Sequence, residues 1–198
     1  MGKMTNRQRQ ALQTKESIYN AAIRLFEQKG YDNVLIEDIT REANCAKGTF
    51  YLYFPSKKDL MYETIQKYNE CSDAAYEKVK DLSGFRDKLL QYTRYYYEGQ
   101  SRIGREIQKA LSGNNVLDGA VDIINTSERS VYRVLNILIE EGMQEGFLSR
   151  QHSKEFYEKI LVTVFLGVDY YWCTRDGEDV VQSVVTQMQA VVDGLSNL

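Results

Sequence analysis

Proline is almost missing. Pro55 is the only one in 198 residues, where ordinary usage of about 5% would give roughly ten. Because proline interrupts helix interiors, its scarcity points to an all-α chain. Histidine is equally scarce: His152 stands alone, so no site built on several histidines is available, and no metal or cofactor is expected. The three cysteines, Cys45, Cys71 and Cys173, are 26 and 102 residues apart, a spacing that fits neither a disulfide framework nor a zinc cluster and suits a reducing, cytoplasmic setting. No apolar run is long enough for a bilayer. The longest, residues 160–173, is broken by Thr163, Gly167 and Asp169, and the first ten residues lack the apolar segment of a secretion signal. A phosphate-binding loop, a dinucleotide fingerprint and a nucleophile motif are absent too, so an enzyme is not expected.

Hydrophobic residues make up 43%, charged 27% and aromatic 12% of the chain, the balance of a globular protein. Apolar side chains at Ile18, Ala21, Ala22, Leu25 and Phe26 recur as one helix face over residues 14–29, and Gly30 supplies the stop. Short helices follow over 36–43 and 46–53, separated by Asn44, which tolerates positive φ. Longer ones are expected over about 57–80, 84–98, 102–112, 119–144, 153–174 and 177–195, about nine helices in all. The β-branched runs at 160–165 and 180–185 do not alter this, since Phe156, Ile160, Val164, Val168 and Trp172 recur every four residues.

Net charge is −3, but it is unevenly spread. Residues 1–58 hold ten Lys/Arg against six Asp/Glu, a net of +4, which leaves −7 for the remainder. A basic N-terminal part facing a polyanion fits this asymmetry. Two short helices joined by a tight turn, in that part, form a helix-turn-helix arrangement suited to the DNA major groove, although a plain helical hairpin has the same outline.

The run GYDNVLIEDITREANCAKGTFYLYFPSKKDL, starting at Gly30, resembles the DNA-binding signature of TetR-type transcriptional regulators in order, spacing and residue type. The likeness covers about residues 12–62. It implies an N-terminal three-helix head at 12–62, preceded by a flexible basic arm at 1–11 and followed by a helical effector-binding and dimerisation body at 63–198. It further implies that Lys47, Gly48 and Tyr51 reach base edges and that Thr49, Tyr53 and Lys57 meet phosphates. Phe50 and Phe54 are expected in the head's core. Two departures remove hydroxyls: Val34 and Leu35 stand where a Thr or Ser usually opens the second helix, and Asn44, Cys45 and Ala46 replace Gly-Val-Ser at the turn. Fewer phosphate contacts are expected, with Arg7, Arg9 and Lys15 compensating.

Specific reading by one such head calls for a twofold dimer on a near-palindromic operator. The last two helices carry wide apolar faces, and Phe156, Leu161, Phe165, Val168, Val181, Val184, Val185 and Met188 are the expected interface. The family likeness also implies a small-molecule pocket among the middle helices. Phe85, Tyr92, Tyr95, Tyr96, Tyr97, Tyr170, Tyr171 and Trp172 could line it and would suit an aromatic or amphipathic effector. The resulting expectation is a cytoplasmic, homodimeric regulator of double-stranded DNA, a repressor released by its effector. The rival expectation is a helical protein-binding adaptor whose head no longer reads DNA.

Overall fold

The computed structural model describes residues 5–117 and 129–196, and every regular element in them is a helix. In chain order these are α1 (Asn6–Lys29), α2 (Ile36–Glu42), α3 (Lys47–Tyr53), α4 (Asp59–Val79), α5 (Phe85–Ser101), α6 (Arg105–Leu117), α7 (Ser130–Gln144), α8 (Lys154–Thr174) and α9 (Val180–Leu195). Of the helix expected over 119–144, residues 118–128 lie outside the described residues. The chain divides into two compact units. A head comprises Met1–Ile65 with Gly104–Leu111, and a body comprises Gln66–Ile103 with Ser112–Leu198.

In the head, α1 starts earlier than the sequence suggests. Thr5 accepts from the Gln8 amide at 3.3 Å, while the Thr5 amide donates to Gln8 Oε1 at 2.9 Å. This reciprocal cap satisfies two otherwise orphaned donors, so residues 6–11 are helical where a flexible arm is expected, and residues 1–4 of that arm lie outside the described residues. One face of α1 buries Ile18, Tyr19, Ala21, Ala22, Leu25 and Phe26. Gly30, at φ +76, closes the helix through its amide to the Phe26 carbonyl, 2.8 Å. With Val34, Ile39, Phe50, Phe54 and Leu60, all at most 2% exposed, these side chains form a small core. The Tyr19 and Thr64 hydroxyls pair inside it at 3.0 Å, and the Glu106 amide donates to Glu27 across 2.7 Å.

In the body, α5 packs against α7 and α9, and α8 against α7 and α9. Their shared core includes Leu89, Val134, Leu138, Leu161, Val168, Val184, Met188 and Val192. The two β-branched runs are helical here because their apolar residues meet this core at helical spacing. A Cβ at Gly142 would lie 2.7 Å from the Phe85 ring. The glycine thus sets how closely α7 approaches α5. Two polar side chains that enter the core are paired there: Lys88 donates to Glu141 at 2.8 Å and to the Lys80 carbonyl at 3.0 Å, and Ser72 pairs with Tyr92 at 2.8 Å.

Candidate nucleic-acid interface

The turn between α2 and α3 is built from backbone. The Cys45 amide donates to the Thr40 carbonyl at 2.9 Å, and Ala43 to Ile39 at 2.8 Å. Asn44 takes φ 50, the left-handed conformation that asparagine tolerates better than most residues. Phe50 and Phe54 then fix α3 in rotation: their rings lie 5.8 Å apart in the core. The opposite face of α3 presents Lys47, Gly48, Tyr51 and Leu52 to solvent.

Each of these residues offers different chemistry. Tyr51 is 44% exposed, and its ring meets Phe50 edge-on at 5.6 Å, so the core orients it outward. Leu52 is 76% exposed, an apolar side chain fit for a thymine methyl. The sequence reading missed it because one leucine in a helix looks like core. Gly48 has no atom of the protein within 4 Å of where a Cβ would stand. Gly48 stands in the first turn of α3 and is not among the positive-φ glycines, so neither backbone conformation nor close packing calls for glycine there; alanine is the better helix former, and the bare backbone is open to an approaching molecule. Gly48→Ala is therefore expected to raise thermal stability slightly while weakening DNA affinity. Melting curves and duplex titrations check both effects, and unchanged affinity would show that the open space is not used.

The cations are less free than expected. Lys47 Nζ lies 2.5 Å from Glu37 Oε1, and this pairing holds the Glu37 carboxyl below its ordinary range and the Lys47 ammonium above its own. Lys57 is already engaged within the head. Its ammonium donates to the Tyr31 carbonyl at 2.8 Å and the Val34 carbonyl at 3.0 Å and sits 4.3 Å from the Tyr31 ring centroid, and burial lowers its pKa. It ties the 31–34 loop to the residues before α4, and of the three donors of an ammonium these bonds use two. Thr49 and Tyr53 are half-buried on α3. On α1, Lys15 pairs with Glu63 at 2.5 Å, whereas Arg7 and Arg9 are exposed.

The body's expected site residues divide. Tyr92, Tyr96 and Tyr97 come together: the first two rings stack at 6.0 Å and 3°, and Tyr97 donates to the Phe165 carbonyl at 3.2 Å. Beside them Gln100 donates to Asp169 at 3.3 Å, and burial pushes the Asp169 carboxyl up to about 7. Gln100 Oε1 and Thr93 Oγ1 are buried without a hydrogen-bond partner. Phe85 packs on Phe147 at 5.2 Å, and Trp172 is buried. Tyr170 is corrected, being 65% exposed. Tyr95 is corrected too: about 100° around the helix from Tyr96, it lines an outer groove of about 340 Å³ with Lys67, Cys71, Lys78, Gly99 and Arg102.

The expected dimer face also changes. Leu161, Phe165, Val168, Val184 and Met188 are buried within a single chain, so no partner can reach them. Phe156 stays exposed, and Val181 and Val185 are partly so. Leu166 and Tyr171, absent from the expectation, are exposed on α8 together with Phe156 and Tyr170.

Comparison with known proteins agrees with this geometry. The pattern of bacterial regulatory proteins of the tetR family matches residues 18–64. The fatty acid metabolism regulator protein of Bacillus subtilis (strain 168) is 21% identical over 91% of this chain and 94% of its own. Relatives at 41% and 50% identity match over only 51 and 46 residues, and there the chain spans 18% and 24% of their length. Among solved structures, the fatty acid degradation regulator FadR from Bacillus halodurans superposes with a TM-score of 0.79 at 18% identity, over 98% of this chain and 97% of that one. The transcriptional regulator FadR from Bacillus subtilis, solved in complex with stearoyl-CoA, gives 0.70 at 18% identity, over 92% and 98%. Residues 18–64 of the head therefore carry the pattern of the tetR family of bacterial regulatory proteins, in a chain whose fold is shared with solved structures of transcriptional regulators.

Proposed function

We propose that this chain acts as a homodimeric repressor that occupies a near-palindromic operator and leaves it when a long-chain acyl-CoA thioester binds the body. The observation that carries the DNA-reading part is the outer face of α3, where Lys47, Gly48, Tyr51 and Leu52 face solvent while Phe50 and Phe54 lock the helix from behind. That face offers a cation, bare backbone, an aromatic hydroxyl and an apolar tip, the set that reads base edges. Dimerisation is supported by the α8 stripe of Phe156, Leu166, Tyr170 and Tyr171, each at least 38% exposed. One copy leaves this apolar surface wet, and a second copy related by a twofold axis would cover it.

Two features support the effector. In the body's interior the rings of Tyr92, Tyr96 and Tyr97 lie beside buried polar atoms on Thr93 and Gln100 that have no hydrogen-bond partner among the described residues. An amphiphile with a long apolar tail and a polar junction would match that combination. A regulator of the same fold was solved with stearoyl-CoA. If the thioester favours one conformation of the dimer, operator release follows as a population shift. The test is fluorescence anisotropy of a labelled operator duplex under added stearoyl-CoA, with stearic acid and free coenzyme A as controls. Release by stearoyl-CoA alone is expected, and an operator complex indifferent to it would overturn the effector assignment.

A further inference from the structure

We infer that Glu37 and Lys47 act as a single reader of one G·C pair in the operator, Glu37 accepting from the cytosine amino group while Lys47 donates to guanine. The inference rests on the DNA-reading function proposed above and adds a specificity determinant from α2 to the face of α3.

Three carboxylates lie on α2, and their partners separate them. Asp38 accepts from the Leu35 amide at 3.2 Å and lies 3.5 Å from Arg41, so it caps its own helix. Glu42 binds Arg24 of α1 at 3.2 Å. Glu37 alone reaches the DNA-facing helix, where its Oε1 meets Lys47 Nζ at 2.5 Å. Both side chains are about half exposed, 54% and 53%, and they stand one helical step from the open space at Gly48.

An anionic group on this surface needs a reason. A carboxylate repels the phosphates of any duplex, so Glu37 lowers affinity for DNA in general. It also neutralises the cation best placed to meet a phosphate. Its contribution becomes favourable only where the major groove presents a donor, and the donors there are the amino groups of cytosine N4 and adenine N6. Lysine has donors and no acceptor, so it complements the adjacent guanine acceptors O6 and N7. One G·C pair displays N7, O6 and N4 in a row along a single edge. A bonded carboxylate and ammonium can therefore meet that row, acceptor to donor and donor to acceptor, without breaking their own contact. An A·T pair also sets an acceptor, N7, beside a donor, N6, but it lacks the second acceptor that O6 gives the ammonium, and its donor lies one position nearer N7 than cytosine N4 does; a phosphate offers nothing to the carboxylate.

The test is site selection from a random duplex pool with the full-length wild-type protein, E37A and E37Q, followed by titration of the enriched duplexes at two salt concentrations. Wild type should require G·C at one position of each half-site, with about tenfold to a hundredfold loss for other pairs there. E37A should lose that preference, bind random DNA more tightly, and show a salt dependence steeper by up to about one unit as Lys47 turns to phosphate. E37Q should shift the position toward A·T, because an amide pairs with adenine N6 and N7. Unchanged melting temperatures exclude misfolding as the cause. If both variants select the wild-type motif with the wild-type salt slope, the inference is overturned while the DNA-reading function stands. If wild type selects no motif at all, the DNA-reading function fails and this inference with it.

Discussion

Replacing Val184 with aspartate is expected to unfold the body rather than separate two copies of the chain. Val184 is fully buried and belongs to the core that α9 shares with α5 and α8. Removing a buried valine forfeits about 1.5–3 kcal/mol of apolar transfer. An unpaired carboxylate in its place costs several kcal/mol more, whether it stays charged or takes up a proton. Together these are a large part of the 5–15 kcal/mol that holds a typical domain folded. Thermal unfolding followed by circular dichroism should show the cooperative transition shifted far down or lost. Leu166→Glu is the counterpart: at 48% exposed on α8, it should leave the melt nearly unchanged and turn the dimer into monomers by light scattering. A folded, monomeric Val184→Asp variant would mean that α9 meets a partner copy and not its own chain.

Removing the ring of Tyr51 is expected to cost specific binding about 1–3 kcal/mol, a tenfold to hundredfold loss, with little effect on random DNA. The reasoning starts from exposure. The phenol is 44% exposed and meets the ring of Phe50 edge-on, outside the fully buried core, so the fold is expected to lose little when it goes. What goes is a rigid aromatic group with a hydroxyl, held outward on the same helix face as Leu52 and Gly48. Non-specific affinity comes from lysine and arginine neutralising phosphates, and Tyr51 is neither, so the salt slope should not move. Titrations of Tyr51→Ala against the operator and a scrambled duplex decide it. Equal losses on both would remove Tyr51 from base reading.

Local patterns in the sequence made the helices legible. One proline, glycine and asparagine stops, and apolar residues every three or four positions sufficed for the order of elements and the helix-turn-helix. The faces of the body's helices were not legible, because a stripe such as Phe165, Val168 and Trp172 reads the same whether it meets its own chain or a second copy. The structure turns that stripe inward. The structural part Lys57 plays was hidden for a related reason: nothing in the order of residues places the carbonyls of Tyr31 and Val34 around a lysine more than twenty positions later. Glu37 escaped notice because its partner is ten residues away and across a turn, a spacing that helical periodicity does not bring together. The helical start of α1 is not legible because the Thr5–Gln8 cap lies in a stretch without apolar periodicity.

The central claim is that α3 reads base sequence for a symmetric dimer. Site selection from random duplexes with purified wild-type protein, in the absence of acyl-CoA, tests it most directly when the enriched sequences are retitrated at two salt concentrations. The expected result is enrichment of a near-palindrome whose half-sites are about one helical turn apart or a multiple of it, bound with a steep salt dependence. A pool that stays random at every salt concentration, or an enriched site with no symmetry and a flat salt response, would contradict it.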